Sequence, residues 1–355
     1  MIKIYHTFNN EIKEKWLELE QSSYITPFQY YNWLFNWSQT VGTQYSLFIV
    51  CVMSDERVEA IFPLGIDETR NIKKLEWLGV SHGDYMSPIV RLNSEVLFKD
   101  ISSIWKEVIS ALPSFDVLHL VKQVPKLGNK TNPFLDIYNS KISVVSHQSN
   151  ISNGWEAFKD STSKKVFTDS NRQRRRLAEL GNLKFNILNS HENNQKFLEV
   201  MFSFKEERYK QMGVDNFLKL QGHRDFYLNI PSSISSTASI HCSTLTLDGE
   251  VIALHYGVID KSTFLYLMPA HSNKWEKFSP GKLLLEDLLR WSTENNISLF
   301  DFTIGDESYK KIWSNESFFL HETNHPFTAT GYVYLFLLDL SRSLKKFILK
   351  LLRRS

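Results

Sequence analysis

One segment, residues 266–313, constrains the fold more than any other part of the chain. Its pattern of apolar and polar residues predicts a strand, a polar loop, a helix, a second strand and a short helix. The first helix starts at Ser279-Pro280-Gly281, with Ser279 as the expected N-cap and Pro280 at the first helical position. The first N–H groups of such a helix lack intrahelical partners, and the helix dipole favours negative charge there. We therefore expect an anion seat, suited to a pyrophosphate, at this helix start.

Two familiar phosphate-binding motifs do not fit this segment. Gly281-Lys282 is followed by Leu283 and lacks the upstream glycine that a Walker A loop requires. A dinucleotide-binding fingerprint is excluded as well, because only one glycine, Gly281, is present at the helix start.

The segment resembles the coenzyme A pyrophosphate loop and helix of the GNAT acyltransferases, and within them the cellulose-biosynthesis-type (CelD/BcsL) acetyltransferases. The similarity rests on Ser279-Pro280-Gly281, Phe300-Asp301-Phe302, Gly305-Asp306, Tyr309-Lys310 and the closing Trp313. Weaker similarities cover most of the remaining chain, and they lie at Thr26-Pro27-Phe28-Gln29, Leu78-Gly79, Asp84-Tyr85 and the basic stretch from Arg172 to Leu177.

This resemblance implies an α+β fold of the GNAT type, built as two tandem GNAT-like lobes by analogy with the Fem peptidyltransferases. The expected boundaries are 1–150 for the first lobe, 151–330 for a catalytic lobe that binds acyl-CoA, and 331–355 for a C-terminal helix. The linker-like composition of residues 123–153 suggested the first boundary. No sequence repeat accompanies the two lobes.

Composition narrows the class of protein. The formal charge is only +2, from 41 basic and 39 acidic residues, so nucleic acid is not the expected partner. Two cysteines cannot build a disulfide framework or a four-ligand zinc site. Because neither a signal peptide nor a membrane-spanning run is recognisable, we expect a cytoplasmic protein.

The secondary-structure pattern is α+β throughout. Residues 44–52 and 57–66 predict a hairpin, and Asp248-Gly249 predicts a tight turn between two later strands. Residues 155–180 predict one helix, and residues 195–209 predict a second long helix.

The resemblance places the donor along the strand before the anion seat. In GNAT proteins this strand pairs with the pantetheine arm through its backbone, which assigns Leu267 and Met268 to cofactor binding together with residues 279–283. Pro269 suits the point where strand pairing stops, although an ordinary strand end explains it equally.

Three residues are candidates for catalysis. Asp301 lies in an apolar strand, so it is either a proton-transfer group or a structural hydrogen-bond acceptor. Tyr309, in a helix that Asp306 is expected to cap, either protonates the departing thiolate or belongs to an aromatic core. His255 is either a base facing the acceptor cleft or a core histidine.

The acceptor site is less defined by sequence. The candidate substrate-binding residues are Arg208, Asp84 and Tyr85. The alternative for Arg208 is a solvated surface charge with no role in binding. The arginines between Arg172 and Arg176 either meet a phosphate or form a solvated helix face.

No metal site is expected. His321-Glu322-Thr323-Asn324-His325 matches the zinc-protease pattern, but Pro326 and the preceding apolar residues favour a strand. The two imidazoles of a strand would stand roughly 13 Å apart, too far for one zinc ion.

The C-terminal residues 332–355 predict a basic amphipathic helix, with Phe347 and Leu351 among its apolar positions. It either contacts an anionic membrane surface or packs on its own domain.

These features predict an N-acetyltransferase that uses acetyl-CoA and an amine acceptor, an amino sugar or nucleotide-linked sugar of surface polysaccharide synthesis by family analogy. Two alternatives stay open: a Fem-like transferase that uses aminoacyl-tRNA and a cell-wall precursor, and a non-catalytic binding protein with the same fold.

Overall fold

The computed structural model describes residues 1–188 and 194–352, and for residues 194 and 345–352 it describes the backbone only. The described helices are α1 (Asn10–Glu20), α2 (Tyr31–Thr40), α3 (Val96–Ala111), α4 (Gly154–Ser161), α5 (Lys164–Ala178), α6 (Asn194–Met212), α7 (His223–Asn229), α8 (Pro280–Glu294), α9 (Ser308–Trp313) and α10 (Ala329–Leu352). The described strands are β1 (Ile2–Tyr5), β2 (Ser23–Tyr24), β3 (Tyr45–Ser54), β4 (Arg57–Asp67), β5 (Lys74–Trp77), β6 (Ile89–Arg91), β7 (Val117–Gln123), β8 (Lys126–Leu127), β9 (Lys130–Thr131), β10 (Lys141–Asn150), β11 (Leu183–Leu188), β12 (Ala238–Leu247), β13 (Glu250–Asp260), β14 (Thr263–His271), β15 (Leu299–Ile304) and β16 (Glu316–Pro326).

The chain divides into two compact units. Unit 1 comprises Met1–Ser38, Gly42–Ser143 and the chain from Phe319 onward. Unit 2 comprises Gln39–Val41 and Val144–Phe318.

These units differ from the predicted boundaries at both ends of the second lobe. The second half of β10 pairs with β15, which assigns residues 144–150 to unit 2. Residues 321–326 of β16 pair with β7, which returns the chain to unit 1 before residue 330. A boundary drawn from composition misses both points because each lies inside a continuous strand.

The two units share one strand pattern. In unit 1 the strands run β1-β3-β4-β5-β7-β16, and every pair is antiparallel except the parallel pair β5 and β7. In unit 2 they run β11-β12-β13-β14-β15-β10, with β14 and β15 as the parallel pair.

The helices fall at corresponding places in the two units. Two helices follow the first strand of each unit, α1 and α2 in unit 1 and α6 and α7 in unit 2. One helix, α3 or α8, precedes the second strand of the parallel pair, β7 or β15. This shared order confirms the α+β fold class and agrees with two GNAT-like lobes.

Most of the predicted elements are confirmed. The hairpin is β3 and β4, with Asp55 at φ 54° in its turn, and Asp248 and Gly249 take φ 49° and 85° between β12 and β13. The single helix predicted over 155–180 is wrong. It is two helices, α4 and α5, because the chain leaves helical geometry at Thr162, whose hydroxyl donates to the Phe158 carbonyl.

The core of unit 2 fixes α8 against the sheet. Phe264 of β14 stacks on Phe300 of β15 with ring centroids 4.9 Å apart, and both side chains are fully buried. Leu283 and Leu288 of α8 belong to the same core. Burial of these side chains holds the start of α8 beside the end of β14.

A glycine of unit 1 explains one of the weaker sequence landmarks. Gly79 adopts φ 78°, and a side chain there would collide with Leu34. We expect Gly79→Ala to lower the free energy of unfolding by about 2–3 kcal/mol, from backbone strain and the collision together.

Gly249→Ala is the matched control, because Gly249 has φ 85° and open space around its missing side chain. It should cost only about 1 kcal/mol of backbone strain. Equal losses in denaturant-unfolding experiments would contradict the assigned clash.

Candidate active site

The cleft of unit 2 begins where β14 and β15 separate. Their parallel pairing joins Thr263–Leu265 to Leu299–Asp301 and, within the described residues, goes no further. Beyond this point β14 continues to His271, paired with β13 on its other side. The two strands therefore diverge and leave one edge of β14 unpaired with β15.

A bulge in β15 lies at the same point. Against β10, Ser146 faces Ile304 and Gln148 faces Asp301, so β15 has one extra residue here. Thr303 takes φ 59°, a strained value for a β-branched residue. The carboxylate of Asp301 accepts the N–H of Thr303 at 2.7 Å, which supports this conformation.

Asp301 is thus placed in the bulge. Its side chain is buried, and it is absent from the lining of the cleft. The contact with Thr303 favours the structural reading of the two that the sequence left open. Asp301 fixes the course of β15 where the cleft opens.

The cleft has a volume of about 630 Å³. Residues of α6, β14, α8 and α9 line most of it, and these are Phe204, Lys205, Arg208, Tyr266, Pro269, Ala270, His271, Gly281, Lys282, Leu285, Tyr309, Ile312 and Trp313, joined by Val166, Glu276, Ser279 and Glu307.

The helix start that was predicted to bind an anion lies at this cleft, but fewer of its backbone N–H groups lack a hydrogen-bond partner than expected. Ser279 precedes α8 as predicted, but it takes φ 52° and its side chain caps nothing. Its carbonyl accepts the N–H groups of Lys282 and Leu283 at 3.0 and 3.3 Å. Among the described residues the N–H of Gly281 has no partner.

Of the other residues predicted to bind the cofactor, some line the cleft and some do not. Gly281 and Lys282 line the cleft, whereas Pro280 is buried and Leu283 lines a neighbouring pocket of about 130 Å³. Leu267 and Met268 do not line the cleft. Their neighbours Pro269, Ala270 and His271 do, because β14 reaches further than the sequence pattern indicated.

Tyr309 lines the cleft. The expected capping by Asp306 is wrong: Glu307 occupies the N-cap position, and Tyr309 is the second residue of α9. Asp306 pairs instead with Lys311 at 2.8 Å and with His147 at 3.6 Å. Burial, followed by the charge of Glu307, raises the pKa of Tyr309, so its phenol stays protonated at neutral pH.

Lys310 of α9 fixes the short loop, residues 305–307, that connects β15 to α9. Its buried ammonium group donates to the carbonyl of Ile304 and pairs with Glu307 at 3.2 Å. Of these two adjacent residues, Tyr309 therefore faces the cleft and Lys310 fixes the loop that precedes α9.

Lys205 is the cleft residue that sequence reasoning missed. It lies on α6, and among the described residues it forms no hydrogen bond or ion pair. Burial lowers the pKa of its ammonium to about 8, with Glu307 acting in the opposite direction. Helical spacing alone did not distinguish Lys205 from the exposed charges of α6, because its environment depends on the packing of α6 against β14.

His255 does not line the cleft, which favours the core histidine of the two interpretations that the sequence left open. It is fully buried, with its ring stacked on Tyr266 at 4.3 Å between centroids. Burial, then the charges of His241 and Lys205, lowers the pKa of His255 well below its ordinary value. The strand alternation placed its side chain in the aromatic core of the sheet, where it is neutral.

The candidate acceptor residues separate between the two units. Arg208 lines the cleft and pairs with Glu276 at 3.4 Å. Asp84 and Tyr85 lie in unit 1, where Asp84 contacts Lys122 at 3.6 Å and the buried Tyr85 ring packs edge-on against Phe28. Neither residue lines the cleft.

The arginines of α5 have different surroundings. Arg174 binds the carboxylate of Asp287 through two nitrogens at 2.7 and 3.1 Å, which ties α5 to α8. Arg172 lines the small pocket beside Ser279 and Lys282. Arg176 lies over the Phe278 ring at 4.8 Å.

The zinc-protease pattern lies in β16, a strand, as the flanking residues indicated. Within the described part of the chain, no group of three metal-ligating side chains is found.

Substitution of Asp301 tests the hydrogen bond that supports the bulge. Asp301→Ala removes the acceptor of the Thr303 N–H and should lower the free energy of unfolding by about 1–3 kcal/mol. Asp301→Asn keeps a carbonyl oxygen there and should retain most of the stability, as read from denaturant midpoints. Full stability of Asp301→Asn together with complete loss of turnover would instead favour a direct chemical role.

Comparison with known proteins finds one family model that matches part of the chain. Residues 164–311 match the model "Acetyltransferase (GNAT) domain", and a sequence comparison with curated proteins gives no match.

Solved structures with a similar fold span nearly the whole chain. FemX has a TM-score of 0.58 at 11% identity, covering 90% of this chain and 96% of its own. L-PGS from Bacillus licheniformis has a TM-score of 0.56 at 12% identity, covering 95% and 98%. The C-terminal domain of a putative lysylphosphatidylglycerol synthetase from Agrobacterium fabrum has a TM-score of 0.55 at 11% identity, covering 92% and 95%. These likenesses support a GNAT-type fold, and most of the residues that line the cleft of unit 2 lie within the segment 164–311 that matches the GNAT domain model.

Proposed function

We propose that this protein transfers an acyl group, acetyl in the first instance, from coenzyme A to an amine. The observation that carries the proposal is the cleft between the diverging ends of β14 and β15, with Gly281 and Tyr309 in its lining. A strand edge of this kind can bind an amide-containing arm, and the helix start can bind its phosphates.

The residues present fit such a donor. The N–H of Gly281 has no partner in the part of the chain that the structure describes, and the glycine keeps the start of α8 clear beside His271. Arg172 lines the small pocket next to it, where it pairs with Asp169 at 3.4 Å, and it is the candidate to bind a phosphate. When bound, coenzyme A supplies an activated acyl carbonyl.

Lys205 is the residue best suited to accept the proton of the amine. A base works best with a pKa close to the working pH, and a pKa of about 8 satisfies this condition. The phenol of Tyr309 faces the same cleft and remains protonated, so it can donate to a leaving group. Glu307, near both residues, favours the protonated form of each.

The acceptor is proposed to be a small amine, with a free or nucleotide-linked amino sugar as the first choice. Arg208 at the cleft is the candidate for holding it. Aminoacyl-tRNA, the donor of the Fem-like alternative, is the competing proposal. Likeness to FemX at 11% identity supports the fold alone.

Calorimetric titration with acetyl-CoA tests the donor directly. Gly281→Glu places a carboxylate at the free N–H and should reduce acetyl-CoA affinity at least tenfold, because negative charge repels the pyrophosphate. Gly281→Ala is the control, since its added carbon would lie 3.3 Å from His271 and needs only a small adjustment. Unchanged affinity in Gly281→Glu would overturn the assignment of the anion seat.

The pH dependence of turnover tests Lys205. Because the neutral amine accepts the proton, kcat/KM should rise with pH through about 8 in the wild type. Lys205→Met should lower turnover at least a hundredfold and abolish this limb of the profile. Lys210→Met, on the exposed end of the same helix, should leave the profile unchanged.

Stability provides a second measurement on the same variant. A lysine whose folded-state pKa is lowered binds fewer protons than the unfolded chain between pH 8 and 10.5, so its cost is fully present below about pH 8. Lys205→Met should therefore raise the free energy of unfolding at pH 7 by about 1–2 kcal/mol, discounted for the water of the cleft. A destabilised Lys205→Met would contradict the buried, unpaired ammonium.

A further inference from the structure

Helix α10 carries a continuous row of exposed apolar side chains. Tyr332, Val333, Phe336, Leu337, Leu340 and Leu344 are each 55–68% exposed. At 3.6 residues per turn these positions fall on one side of the helix. Isolated exposed apolar residues need no explanation, but six on one helix face form a patch of the kind that binds a partner.

The opposite side of α10 is held by unit 1. The ammonium of Lys74 donates to the hydroxyl of Tyr334 at 2.8 Å, and Arg342 pairs with Glu322 at 3.6 Å. The side chains of Leu335 and Leu338 are partly buried. The helix is therefore seated on unit 1, and its apolar face is left uncovered by the described residues.

The charge of this part of the chain indicates what covers that face. From Tyr332 to Ser355 the sequence has six basic residues and one acidic residue, a net charge of +5. The side chains of residues 345–352, Phe347 and Leu351 among them, and the whole of residues 353–355 lie outside what the structure describes. The charge argument uses their sequence alone.

We infer that α10 lies in the interface of an anionic membrane, with its exposed apolar face against the acyl chains, and that the net positive charge of this part of the sequence favours anionic headgroups. An amphipathic helix with excess positive charge has this chemistry. A second copy of the chain fits less well, because a symmetric contact would bring two segments of charge +5 together. Among the described helices, none combines the length and apolar character needed to cross a bilayer.

Co-sedimentation of the full chain with vesicles tests this inference. We expect binding to equimolar phosphatidylcholine and phosphatidylglycerol vesicles at 50 mM NaCl, weakened at least tenfold at 500 mM NaCl and on pure phosphatidylcholine. Phe336→Ser combined with Leu337→Ser changes only exposed side chains and should weaken binding at least tenfold. Ile142→Ser, at an apolar position that is 62% exposed elsewhere in unit 1, is the matched control.

Two results would overturn the membrane assignment. The first is an absence of binding to anionic vesicles at 50 mM NaCl. The second is a wild-type dimer in solution, measured by light scattering, that the double variant converts to a monomer, since this would assign the apolar face to a second copy. Acyl transfer to a soluble amine is measured alongside, and because α10 is outside the cleft it should be equal in all variants.

Discussion

The hydrogen bond from the Thr303 N–H to the Asp301 carboxylate controls how unit 2 opens. It supports a left-handed residue inside a buried strand, and this residue belongs to the bulge that coincides with the end of pairing between β14 and β15. A regular β15 would continue beside β14 and close the gap between them. This local irregularity therefore lies where the cleft opens and where the edge of β14 becomes free.

Inside the cleft, the same packing that stabilises unit 2 places an ammonium group where it is poorly solvated. Lys205 has no hydrogen-bond or ion-pair partner among the residues that the structure describes, whereas the neighbouring Lys310 donates to a carbonyl and pairs with Glu307. A lysine held without a partner costs stability, and proteins retain such groups mainly where chemistry uses them. This contrast between two lysines in one small region underlies the proposal that Lys205, and not Lys310, takes part in the reaction.

The sequence predicted the elements well because hairpin turns and strand alternation are local. Asp248-Gly249 and the start of α8 at Pro280 are examples. It failed where a residue's role depends on distant packing. His255 and Lys205 are both polar residues in apolar surroundings, and only the sheet and α6 decide that the first is enclosed while the second borders the cleft. Asp84 and Tyr85 likewise could not be separated from the cleft residues by sequence.

The boundaries of unit 2 at residues 144 and 318 fall inside strands β10 and β16 and not in loops. Residues 164–311, the segment that matches the GNAT domain, exclude β10, the strand that pairs with the bulged β15. A gene fragment cut at those limits would encode a sheet with an unprotected edge at its most irregular strand, a site for intermolecular pairing. Recombination that transplants this domain must therefore carry residues 144–318, starting within one strand and ending within another.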